Sequence, residues 1–133
     1  EEKAASEVSK LRDGHRLKID AALSAAGANL DLVDLVEKAG PYGSGHPQPV
    51  FALPNHLLRD VRVVGQNHLK ITIAGADGRT LNGIAFRAAD SAMGKVLLDS
   101  QGLAFHFAGT ISADYWQGIR RVQLRLLDAA PAK

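Results

Sequence analysis

The chain contains no cysteine, a single tryptophan, a single methionine and only two tyrosines among its 133 residues. Without cysteine there is no disulfide, no thiolate metal ligand and no thiol nucleophile, which fits a reducing compartment and an expected cytoplasmic location. No apolar run approaches the ~18 residues that a membrane-spanning helix needs, so no membrane partner is expected. Glu1-Glu2-Lys3 has neither the basic start nor the apolar core of a secretory signal. It also lacks an initiator Met, so the chain reads as an excised fragment or a processed form.

What is present is an ordinary globular composition, 46% hydrophobic and 23% charged. The length suits one domain with an appendage rather than two independent cores. The formal net charge of +2 hides an asymmetry: residues 1–55 carry a net −2 and residues 56–133 a net +4. An anionic partner would therefore bind the second part.

Organisation follows from periodicity. Residues 3–12 place Ala4, Val8 and Leu11 at helical spacing, and 1–16 reads as the helical tail of a preceding domain or a linker. Residues 17–55 hold a short strand (Leu17 to Ala21), a helix and a connector dense in Gly and Pro. Asn29 caps the expected helix, which runs to about Lys38 and buries Leu32, Val33, Leu35 and Val36. Gly40 is placed to end it in the left-handed conformation, and Pro41 blocks continuation. Tyr42, between glycines, is read as a plug between helix and strands.

Beyond the connector the period changes from 3.6 to 2, and 56–129 reads as a barrel, with 130–133 as a tail. Val61 and Val63 flank Arg62 in a first strand; Leu69, Ile71 and Ile73 alternate with His68, Lys70 and Thr72 in a second. Asp77-Gly78 signals a two-residue hairpin into a third strand, Leu81 to Arg87, with a bulge expected at Gly83. A short helix around Asp90 to Leu98 precedes a fourth strand bearing Leu103, Phe105 and Phe107. In the fifth, Val122, Leu124 and Leu126 alternate with Arg121, Gln123 and Arg125. Three strands, a helix and two strands make a mainly β, five-stranded OB-type barrel with an N-terminal helix/strand/helix extension.

The chemistry-bearing residues narrow the function. His15, His46, His56, His68 and His106 show no metal-ligand spacing and no carboxylate cluster, so no metal site is expected. Gly40-x-x-Gly43-x-Gly45 imitates a phosphate loop, but Pro47 and Pro49 prevent the helix N-terminus that such a loop requires. There is no Gly-x-Ser-x-Gly elbow. The outward residues His68, Lys70, Arg121, Gln123 and Arg125, with Tyr115 and Trp116 in the loop between the fourth and fifth strands, instead combine cations and flat rings. That combination suits single-stranded nucleic acid, with phosphates on the cations and bases on the rings. A solvated strand face, with Trp116 folded onto its own hairpin, is the plainer reading of the same residues.

Three segments resemble one family. Gly40-Pro41-Tyr42-Gly43-Ser44-Gly45-His46-Pro47-Gln48-Pro49-Val50-Phe51 is similar to the Gly-Pro-Phe-Gly-x-Gly-Asn-Pro-x-Pro-x-Phe signature of RecJ exonucleases, which precedes their C-terminal OB domain. Val64-Gly65-Gln66-Asn67-His68-Leu69-Lys70-Ile71 resembles their Val-Gly-x-x-His-Leu-Lys strand, and Trp116-Gln117-Gly118 with Val122-Gln123-Leu124 their closing motif. Together these cover roughly residues 17–128. Tyr42, His46 and Asp114 depart from the pattern, and Asp114 sets a negative charge beside the proposed nucleic-acid surface.

The resemblance implies a non-catalytic, single-stranded-DNA-binding domain of a 5′-to-3′ single-strand exonuclease acting in recombination and repair. No Asp-His-His motif occurs in the chain, so the manganese or magnesium of such an enzyme would sit in the parent's catalytic core, among its remaining domains. The expected roles are phosphate neutralisation by Lys70, Arg121 and Arg125, more weakly Arg87, and stacking or edge contact from Trp116 and His68. Two alternatives stand beside this. One is an interaction module in which Arg120, Arg121 and Arg125 receive the acidic tail of single-stranded-DNA-binding protein; the other is a structural clamp on the nuclease core.

Overall fold

The computed structural model describes residues 18–43, 45 and 47–132. The helix expected for residues 3–12, and position 46, lie outside the described residues. Asn29 does begin a helix: its side chain accepts a hydrogen bond from the Leu32 N–H at 2.9 Å, and α1 runs over Leu30–Ala39. Val33 and Val36 are buried, whereas Leu35 is 63% exposed, so the buried stripe is narrower than expected. Gly40 ends α1 in an extended conformation (φ −73°) rather than a left-handed one. A Cβ at Gly40 would lie 3.1 Å from the Tyr42 ring, so glycine serves close approach there. Tyr42 packs against the core, its hydroxyl donating to the Val36 carbonyl.

Ahead of α1, the strand is shorter and later than expected: β1 is Ala21–Ala22, pairing in parallel with the start of β2 (Phe51–Val64). Asp20 reinforces this seam, since its N–H donates to Val50 O and its carboxylate accepts from Val50 N–H, both at 2.8 Å. β2 starts five residues before the expected barrel boundary at 56. Its first part pairs with β5 (Ala104–Trp116) and its second with β3 (His68–Ala74), with register shifts between Leu53 and His56 and between Leu58 and Asp60. Pro54 lies within the first shift, where its missing N–H breaks no ladder bond. Next to it, Asn55 takes a left-handed φ of 57° and donates its N–H to His106 Nδ1 at 2.9 Å.

β4 (Thr80–Ala85), α2 (Ala92–Leu98) and β6 (Ile119–Pro131) complete the chain. Sheet order β1-β2-β3-β4-β6-β5, with β5 returning to β2, closes a five-stranded barrel from β2 to β6 and leaves β1 outside it. β4 and β6 run parallel, as an OB barrel requires of its third and fifth strands. Its interior is packed by fully buried Leu58, Leu69, Ile71, Ile73, Phe107, Ile111 and Leu124, each contributing roughly 1.5–3 kcal/mol of burial.

Two turn expectations change. The β3–β4 hairpin closes with Gly75 N–H donating to Arg79 O around Ala76, Asp77 and Gly78 (φ 85°), so its loop has three central residues rather than two. At Gly83 the β3–β4 register is continuous, with no bulge; a Cβ there would meet Ile71 at 3.1 Å and Leu124 O at 3.2 Å. Gly83 is thus the point where β4 crosses the core closely.

Gly94 in α2 is similarly constrained, since a Cβ would fall 1.8 Å from Ala88 O. We expect Gly94→Ala to lower stability by about 1–3 kcal/mol in urea unfolding, because backbone would have to move. Gly43→Ala, with nothing within 4 Å of its Cβ, should be close to neutral.

His56 couples the extension to the barrel. Buried, its Nε2 accepts from Ala25 N–H at 3.0 Å and its Nδ1 donates to Pro54 O at 2.9 Å, a pattern that only the neutral ring satisfies. Burial lowers its pKa below the ordinary 6.5. The unfolded chain gains the proton first on acidification, so this stabilisation is complete above about pH 6.5 and is lost as pH falls through the folded value. The urea midpoint should therefore drop between pH 7 and 5, and His56→Gln should flatten that profile.

Candidate nucleic-acid interface

Strand pleating turns Leu69, Ile71 and Ile73 of β3 inward and leaves His68, Lys70 and Thr72 on the outer surface. The register then assembles that surface across the barrel wall. Lys70 lies beside Arg62 of β2 and Ile84 of β4, and Ile84 beside Arg125 of β6. One step along, Thr72, Asn82, Gln123 and Ser112 form the neighbouring row, and Arg121 faces Asp114 across β6 and β5.

Two aromatic–cation pairs frame the surface. At one end Arg125 lies 5.2 Å from the Phe86 ring centroid, and His68 meets Phe86 edge-on at 5.4 Å. His68 Nδ1 accepts from the Arg87 N–H at 2.9 Å, which holds Arg87 in its left-handed backbone (φ 55°) and assigns the neutral ring's proton to Nε2. His68, Phe86, Arg87 and Arg125 line an open cleft of 610 Å³. At the other end Arg121 lies 5.2 Å from the Trp116 centroid and 3.5 Å from Asp114 Oδ2. Arg121 and Arg125 are four positions apart on β6, so the two pairs stand about 13 Å from one another along the strand. Between them a small pocket of 130 Å³ is lined by the polar side chains Lys70, Asn82, Asp114, Arg121 and Gln123, with Gly83, Ile84 and Val122.

The six residues singled out from sequence thus share one surface as two groups: His68, Arg87 and Arg125 at one end, Lys70, Arg121 and Trp116 toward the other. Trp116 is not in a loop. It is the last residue of β5, half-exposed, and the turn is Gln117-Gly118 alone, both at positive φ. Phe86, 47% exposed, was missed by the sequence reading, although an aromatic beside Arg87 at a strand end was the available signal. Arg120 is on the other side of β6 and pairs with Asp34 of α1 at 2.7 Å, which raises its pKa, so it does not join Arg121 and Arg125. Among the described residues, Lys70, Arg87 and Arg125 make no ion pair, while Arg62 is held by Asp60 at 2.7 Å.

Two further grooves lie away from this surface: one of 470 Å³ beside the Gly/Pro connector, lined by Lys18, Asp20, Tyr42 and Pro47 among others, and one of 390 Å³ between α2 and β5, lined by Val96, Leu103, Phe105 and Pro131 among others and without a charged side chain. Among the described residues no helix is long and apolar enough to cross a membrane.

Comparison with known proteins agrees with the barrel fold. The family model described as RecJ OB domain matches residues 19–128. The chain is 40% identical over 68 residues to the single-stranded-DNA-specific exonuclease RecJ of Salmonella typhimurium, covering 50% of this chain and 12% of that protein. It is 31% identical over 106 residues to the RecJ of Dickeya dadantii, covering 79% and 18%. Against that of Bacillus subtilis it is 25% identical over 115 residues, covering 85% and 14%. The chain therefore spans less than a fifth of the length of these relatives.

The Arg121–Trp116 contact is directly measurable. Removing the guanidinium in Arg121→Ala should red-shift and change the intensity of the single tryptophan's emission, whereas Arg125→Ala, beside Phe86, should leave it unchanged.

Proposed function

The chain belongs to the RecJ OB-domain family, and on that premise we propose that it is the single-stranded-DNA-binding, non-catalytic part of a 5′-to-3′ single-strand-specific exonuclease. The observation that carries this reading is the continuous β3–β4–β6 surface, where two exposed rings, each beside a guanidinium, flank Lys70. A single strand offers phosphates to the cations and unpaired bases to the rings, and a duplex hides its base faces. Lys70, Arg87 and Arg125 neutralise phosphates; Phe86 and Trp116 stack bases; His68 braces Phe86 and the Arg87 backbone. Arg121, shared between Trp116 and Asp114, serves to orient the indole as well as to attract the strand.

Among the described residues no three His, Asp or Glu side chains converge as a metal seat. The manganese- or magnesium-dependent hydrolysis of the parent, its part in recombination and repair and its cytoplasmic setting are assigned to the whole enzyme. This domain's share is to hold the strand on its way to that centre. An acidic-tail receptor for single-stranded-DNA-binding protein has less support, because Arg120 is engaged by Asp34 and Glu37 on the other side of β6.

Titrating Trp116 fluorescence with oligo(dT) at low salt tests the proposal, alongside anisotropy of a labelled oligonucleotide. Saturable quenching is expected, weakened in Lys70→Ala and, by about 1–3 kcal/mol for one lost stack, in Phe86→Ala. Three phosphate contacts predict that log K falls with log salt at a slope of about −2. Neither quenching nor an anisotropy change would leave the clamp on the nuclease core as the function.

A further inference from the structure

Asp114 is out of place on a surface built for a polyanion. It is partly exposed, lines the small pocket beside Arg121, and contacts Arg121 through only one oxygen, at a long 3.5 Å. A carboxylate facing phosphates is repelled, so its presence calls for a hydrogen-bond donor on the ligand. The neighbouring groups are suited to base edges as well. Asn82 Oδ1 accepts from the Thr72 hydroxyl at 3.2 Å, leaving its NH2 group as a donor, and the Gln123 amide lines the same pocket.

We infer that Asp114, with Asn82 and Gln123, makes the pocket a base-reading subsite that favours bases carrying an exocyclic amino group over thymine. This rests on the single-strand reading above and concerns which base is held between the two stacking rings. Cytosine presents its N4 amino hydrogens to the carboxylate and its N3 acceptor to an amide N–H. Thymine's one N3–H is flanked by two carbonyl oxygens, so a carboxylate reaching it meets two further acceptors. Trp116 adjoins the pocket through Arg121, which lies over the indole and contacts Asp114, so a base held beside the indole would bring its edge toward these groups.

Oligo(dC) and oligo(dT) of equal length separate the terms, because both are unstructured pyrimidine strands with the same phosphate charge. With the full chain, dC should bind about fivefold tighter than dT, the scale of one charge-assisted contact. Asp114→Ala should tighten dT by removing repulsion and bring the dC/dT ratio close to one. Asp60→Ala, which removes a carboxylate from the same face but outside the pocket, should tighten both and leave the ratio unchanged. Equal binding of dC and dT by the unaltered chain, or an unaltered ratio in Asp114→Ala, overturns the base-reading role while leaving single-strand binding intact. Absence of binding to both oligonucleotides overturns the single-strand reading and this inference with it.

Discussion

Closure of the barrel depends on β2, one strand that serves two neighbours in succession. It pairs first with β5 and then with β3, and it turns from one to the other through irregularities at Pro54-Asn55 and beyond Leu58. Without that bend the sheet would keep two open edges, and β5 and β6 could not return beside β4. The bend is secured by polar contacts that have no role in packing: Asn55 N–H to His106, and the His56 ring between Pro54 O and Ala25 N–H. Because one of those contacts reaches the segment before α1, the N-terminal extension and the barrel corner hold one another.

Glycines complete the closure where backbone meets backbone. A Cβ at Gly109 would come within 2.1 Å of Arg125 O, at the place where the β5–β6 register shifts. Gly83 lets β4 press onto Ile71 and Leu124. Gly109 thus lets β6 lie close on β5, and Gly83 lets β4 pair with β6 in parallel, which sets Ile84 beside Arg125 and Asn82 beside Gln123. The outer surface is therefore a product of the core: side chains from strands far apart in sequence share a row because small residues inside permit the crossing.

The same surface shows how charge is spent. Of the net positive charge in the second part of the chain, Arg62 and Arg121 are tied to Asp60 and Asp114, and Arg120 is turned toward α1. Lys70, Arg87 and Arg125 keep theirs available among the described residues. The field over the groove is consequently moderate. On the proposed single-strand reading, recognition would depend on the rings and the pocket as much as on attraction to phosphate.

How much was legible from sequence depends on the range over which each feature is determined. Asn29 as a helix cap, the alternation of β3 and β6, the helix between the third and fourth barrel strands and the family motifs are set by residues a few positions apart. Hydrogen-bond geometry and strand pleating act at that range, so the OB class could be read directly. Features that depend on a distant partner were misread or missed. Gly83, expected as a bulge, instead answers to Ile71 on β3 and Leu124 O on β6, while Gly40, expected as a left-handed cap, is set by the nearby Tyr42 ring, whose position depends on its packing against the core. Pro54 hid the first half of β2, because proline marks a strand's interior only when a barrel corner accommodates it. Phe86 acquires its place from His68 and Arg125 through register across β3, β4 and β6, and Asp114 its partner from Arg121 through the β5–β6 hairpin register. Local propensity and pattern thus determined the elements and their order. Only closure of the barrel decided which side chains share a surface, because that is fixed by strand crossings whose geometry no short window of sequence contains.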